Sequence, residues 1–127
     1  MLKTTRRAFT FLCLASLTPT YIHADTRVLK GQDIIVLLSE NTALGFWFDA
    51  PYRQFFYADG TTLYAVENQR TARGLWRVHD GFFQSLWPGG EWETYHIEQI
   101  DNQYFWIGPD GTRQPFAMQS GQHLIWP

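Results

Sequence analysis

The sequence predicts a mainly β protein: an antiparallel meander of about eight strands forming a small barrel or curled sheet, with one short N-terminal helix packed on it. Three observations carry that expectation. Aromatic residues make up 17% of the chain. After Thr42, aromatic and β-branched runs alternate with turn sequences, Asp59-Gly60, Asp80-Gly81, Pro88-Gly89-Gly90, Asp101-Asn102 and Pro109-Asp110-Gly111. These turns recur at roughly 8–21 residues, the rhythm of a meander. Helical periodicity is confined to one early stretch, "LKGQDIIVLLSEN".

The first 24 residues, "MLKTTRRAFTFLCLASLTPTYIHA", read as a signal peptide. Lys3, Arg6 and Arg7 precede an apolar run from Ala8 to Leu17, and Ile22-His23-Ala24 fits a cleavage site. Thr18, Pro19, Thr20 and His23 cut the run short of the ~20 apolar residues a membrane span needs. Thr5-Arg6-Arg7-Ala8-Phe9 is similar to the twin-arginine export signal, although Thr10 stands where that signal usually has an aliphatic residue. Export by that route would carry the protein folded. The expected mature domain is therefore 25–127, in the periplasm or secreted, with no membrane span after cleavage.

Removing that segment changes the charge. The chain has ten basic and twelve acidic residues; with Lys3, Arg6 and Arg7 gone, seven basic face twelve acidic, a net charge of −5. A nucleic-acid or anionic-membrane partner needs a clustered basic face and is not expected. Cys13, the only cysteine, also leaves, so the mature domain can form no disulfide and no thiolate metal site. A domain of roughly 100 residues without a disulfide must be held by its core, and the aromatics supply it.

The elements follow in order. Ile34, Ile35, Leu37 and Leu38 lie within a turn of one another, which predicts a helix of about two to three turns ending at Asn41. Asp33 falls in its first turn, where a negative charge suits the helix dipole. Strands are expected near 42–49, 52–58, 61–67, 72–79, 82–87, 92–100, 103–108 and 113–119, with "HLIW" (123–126) as a possible ninth.

Two hairpins can be registered from their turns. A two-residue turn at Asp80-Gly81 sets His79 opposite Phe82, Val78 opposite Phe83, Trp76 opposite Ser85 and Leu75 opposite Leu86. One face then carries Gly74, Trp76, Val78, Phe83, Ser85 and Trp87, a core face on which Trp87 covers the bare glycine. The other face carries Leu75, Arg77, His79, Phe82, Gln84 and Leu86, mixed and half solvated. With Asp101-Asn102 as a turn, Ile97 meets Trp106 and Gln99 meets Tyr104, while His96 meets Ile107 and Glu98 meets Phe105. Apolar residues on both of these faces point to a lined cavity, an interface, or cover by the helix.

The run "LLSENTALG", then "YRQFFYADGTT", then "RGLWRVHDG" and a pair of strands of the form W...Y.I resembles families of small secreted proteins of alphaproteobacteria to which no activity is assigned. The resemblance implies a periplasmic β-domain. Those families often carry a cysteine pair across one hairpin, at positions held here by Gln84 and Thr94. Gly74-x-Trp76 is also similar to the Gly-x-Trp of lipocalins and the avidin group, over three residues only and in a chain shorter than a lipocalin.

Few polar groups are left for chemistry. His96 and Glu98 share a strand face and are the candidate acid–base pair. A zinc or copper site wants three or four converging ligands, and the histidines show no H-x-x-x-H or H-x-H spacing, so no metal and no cofactor is expected. Glu91 and Glu93 flank Trp92 like a glycosidase carboxylate pair, but beside a Gly-Gly turn they read as solvated charge. Ser85 lacks a G-x-S-x-G context. Arg53, Arg70, Arg73 and Arg77 could converge on an anion, or simply keep a sheet edge from pairing.

The favoured expectation is a non-catalytic binding or accessory module for a protein partner or a small apolar or aromatic ligand. Its surface is expected to include Arg77, His79, Trp92, Phe105, Ile107 and Trp126. The alternative is a small enzyme working through His96 and Glu98 in a barrel mouth.

Overall fold

The computed structural model describes residues 25–127; the expected signal peptide lies outside the described residues. In chain order the elements are β1 (Thr26–Val28), α1 (Gln32–Leu38), β2 (Asn41–Trp47), β3 (Ala50–Phe56), β4 (Thr61–Val66), β5 (Ala72–His79), β6 (Phe82–Leu86), β7 (Glu93–Ile100), β8 (Gln103–Ile107) and β9 (Arg113–Ser120). From β2 onward each strand pairs antiparallel with the next, and β9 returns to β2, with Thr42 opposite Gln119 and Ala43 opposite Met118. The meander is therefore a closed eight-stranded up-and-down barrel, and closure pairs both edges of β2, where an open meander would begin. The extra strand β1 pairs with the length of β7 that β6 does not reach, Val28 opposite Glu98 and Thr26 opposite Ile100.

Both hairpins take the expected register. Asp80 and Gly81 both have positive φ, 52° and 88°, as the turn that matches strand twist requires. A Cβ on Gly74 would lie 2.6 Å from Trp87 Cε3 and 2.7 Å from the Leu86 carbonyl oxygen. Only glycine fits beneath that indole. Gln84 and Thr94 are cross-strand partners, and the Gln84 amide donates to Thr94 Oγ1 at 3.0 Å, bridging the β6–β7 pair without a disulfide.

Helix α1 stops at Leu38, short of Asn41, because Glu40 takes a left-handed backbone (φ 61°) and Asn41 already starts β2. Its position also differs from a helix laid on the sheet face. The Leu29 N–H donates to the Ile97 carbonyl, the Gly31 N–H to the Gly81 carbonyl, and the Glu40 N–H to the Phe56 carbonyl. These anchors fix the segment across one end of the barrel. Ile34 and Leu38, one turn apart and both 0% exposed, drop inside with Leu29 and join Phe56, Trp76, Phe83, Ile97, Trp106 and Phe116. The helix is a plug. The outer face of β7 and β8 is covered instead by Arg113, which pairs with Glu98 at 2.7 Å and lies 5.4 Å from the Phe105 ring centre.

The "HLIW" segment is not a strand. Both edges of β2 are already taken by β3 and β9, so 121–127 runs as a tail on the outer wall. Thr42 Oγ1 donates to the Gly121 carbonyl at 2.6 Å and accepts the His123 N–H at 3.0 Å. Arg53 donates to the carbonyls of His123 and Ile125 and lies 4.6 Å from the Trp126 ring centre. No described helix is long and apolar enough to cross a membrane.

Candidate functional site

Strand alternation sends one set of side chains into the barrel, and at the end opposite the helix they do not fill it. They enclose a cavity of about 410 Å³. Its floor is Trp106, stacked on Phe116 at 4.4 Å and tilted against Phe83 at 5.0 Å. The Trp106 indole N–H donates to Tyr52 Oη at 3.0 Å, which keeps a buried donor satisfied and fixes the Tyr52 ring. The wall continues from strand to strand: Tyr52 stacks on Tyr64 at 5.1 Å, Tyr64 meets Trp87 edge-on at 5.9 Å, and Tyr95 meets Trp47 edge-on at 6.0 Å. Gly45 lies opposite Tyr52 in the β2–β3 ladder, and a Cβ there would be 3.1 Å from the Tyr52 hydroxyl oxygen. A small residue on one strand thus makes room for the ring on the next.

Polar groups are few. Gln54 and Ser85 line the cavity and are buried. The Gln54 amide donates to Thr62 Oγ1 at 3.0 Å, and Thr62 in turn donates to the Phe55 carbonyl at 2.8 Å. Burial pushes the Tyr52 phenol well above its usual range, opposed by the Trp106 hydrogen bond and reinforced by Tyr64. Tyr64 is raised by burial and then by Tyr95, and Tyr95 by burial and then by the carboxylates Glu93 and Asp110. All three phenols therefore stay neutral through the physiological range and present hydroxyls that can donate or accept. The one carboxylic acid in the lining is the exposed Glu93 at the mouth.

This arrangement suits holding a compact ring-bearing or apolar molecule against aromatic walls, with hydroxyls to orient it. Ser85 faces the cavity and is the cross-strand partner of Glu93, with no hydrogen bond between their side chains among those described, and no histidine lines the space. Among the described residues no group of three or more His, Cys, Asp or Glu is placed to hold a metal ion.

The residues picked out from sequence lie elsewhere. His96 and Glu98 do share a face, but it is the outer wall, where His96 is exposed and stacks on Phe82 at 4.3 Å while Glu98 pairs with Arg113. Arg77 and Trp92 come together outside, the guanidinium 3.9 Å from the ring centre and its Nε donating to Gln84 at 2.9 Å. His79 is exposed beside Asp80. Phe105 and Ile107 are half-buried on the outer wall, and Trp126 caps Arg53. The four arginines do not converge: Arg53 serves the tail, Arg77 serves Trp92, and Arg70 and Arg73 are exposed. Sequence reasoning missed Tyr52 and Tyr64, took Trp87 as core, and put Trp106 on a hairpin for which a lined cavity was one of three readings. No protein-family model, no curated protein and no solved structure matches this chain.

Proposed function

We propose that this protein is a non-catalytic small-molecule-binding barrel, exported to the periplasm or beyond, whose ligand sits in the aromatic cavity at the open end. The observation that carries the reading is the contrast within one barrel. One end is filled by aliphatic side chains of the helix segment, while the other leaves about 410 Å³ walled by Trp47, Tyr52, Tyr64, Trp87, Tyr95 and Trp106. That volume falls in the range of small-molecule sites. The same observation favours a small ligand over a protein partner, because these aromatics line a concavity rather than a flat face. Export rests on the N-terminal sequence: its basic start, short apolar run and small-residue end.

The test is binding of the neutral fluorophore N-phenyl-1-naphthylamine. The wild-type protein should bind one molecule per chain with enhanced emission. Ala72→Trp, which places an indole in the cavity wall, should abolish that binding while leaving the far-ultraviolet spectrum and unfolding midpoint close to wild type. Equal binding by the two proteins would mean that the probe sits elsewhere and would remove the reading.

A further inference from the structure

We infer that the molecule held in the open end is an organic cation, a quaternary or protonated amine carried on a small apolar frame. This rests on the reading of the cavity as a ligand site. The lining supplies tryptophan and tyrosine rings, whose electron-rich faces attract a cation most strongly when water is excluded. It supplies no lysine, arginine or histidine, and its one carboxylic acid is Glu93. Ser85, 4% exposed, faces the same space, and none of the described hydrogen bonds engages its hydroxyl.

The rim continues the pattern. The loops at this end hold Asp49 between β2 and β3, Glu67 between β4 and β5, Glu91 between β6 and β7, and Asp110 between β8 and β9; the basic residue among them is Arg70. Of the other arginines nearby, Arg77 is engaged with Trp92, Arg113 with Glu98 and Arg53 with the tail, and Arg73 lies on the outward face of β5. Glu93 and Asp110 are close enough to raise the Tyr95 phenol, so their negative potential reaches the cavity wall. An anion would meet ring faces and four rim carboxylates against one rim arginine, Arg70. A cation is steered inward by the rim and held by the rings.

Three probes of nearly the same shape separate the possibilities: phenyltrimethylammonium, its neutral carbon counterpart tert-butylbenzene, and benzenesulfonate. Each is titrated into ¹⁵N-labelled protein and followed on the tryptophan indole N–H resonances. The cation should bind about tenfold tighter than the neutral compound, with the sulfonate weakest. Glu93→Gln should weaken the cation about threefold and narrow its margin over the neutral compound. If the neutral compound binds as tightly as the cation, the cation inference fails and the ligand cavity stands. If none of the three moves the indole resonances, both fall.

Discussion

The two ends of this barrel are made by the same rule and used differently. Every strand alternates, so each end receives an inward ring of side chains. At one end those side chains meet Leu29, Ile34 and Leu38 from the helix segment and are buried with them. At the other end no described segment descends, and the inward residues there, mostly aromatic rings, leave the cavity open. The first end packs the core of a domain without a disulfide, and the second keeps the open space in which we propose that a ligand sits. Substitutions should therefore separate, costing folding at the plugged end and binding at the open end.

The largest effect is expected at the plug. Leu38→Ala removes a fully buried side chain at the barrel base and should cost about 2–5 kcal/mol, read as a lowered denaturation midpoint. A loss under 1 kcal/mol would show that the helix is not part of the core. Next comes Gly74→Ala, midway along the barrel. Its methyl would press on Trp87 and the Leu86 carbonyl, at a cost of about 1–3 kcal/mol and with a changed Trp87 fluorescence. At the cavity floor, Tyr52→Phe leaves the Trp106 indole N–H without its acceptor and should cost about 1–2 kcal/mol in chemical denaturation. At the open end, Tyr64→Phe should shift stability by no more than about 0.5 kcal/mol while weakening ligand binding, which reverses the order of effects seen at the plug.

The pH dependence sharpens the same comparison. Tyr52, Tyr64 and Tyr95 have folded values raised above the ordinary 10.0. Their contribution is fully present below that value and is lost as pH rises through the folded values, because the unfolded chain releases those protons first. An alkaline loss of stability is thus assigned to the open end, and Tyr52→Phe should soften it. The acid limb is shared between the ends. Asp59 and Asp110 are each lowered, chiefly by the backbone N–H of Thr61 and of Thr112 respectively. Their contribution is present above the ordinary 3.8 and is lost as pH falls through the lowered values. Asn at either position should reduce the acid dependence by a similar small amount.

Most of the strand plan was legible because turn residues set register locally. Asp80-Gly81 and Asp101-Asn102 each decide five cross-strand pairs. Trp87 over Gly74 was readable for the same reason, since both belong to one hairpin. What failed to show depends on contacts distant in sequence. Strand β1 is three exposed residues with no periodicity, paired with a part of β7 some seventy positions on. Periodicity marked Ile34 and Leu38 as buried but could not say that they face the barrel end. "HLIW" has the composition of a strand, yet closure had already used both edges of β2.

A lined cavity was one reading of the Asp101-Asn102 hairpin, but most of its lining residues could not be picked out, for a related reason. Tyr52, Tyr64 and Tyr95 lie on three strands and form no local motif, whereas His96 and Glu98 sit two residues apart and draw the eye. Strand parity contained the correction: with Ile97 and Trp106 on the inner face, His96 and Glu98 had to look outward.

The most direct test of the ligand cup is the native mass spectrum of the protein isolated from the cells that make it, set beside its denatured mass and that of the Ala72→Trp variant. The account predicts an excess mass on the wild-type chain that is lost on denaturation and missing from the variant. A bare monomer at the calculated mass, or the same excess on both proteins, would contradict it.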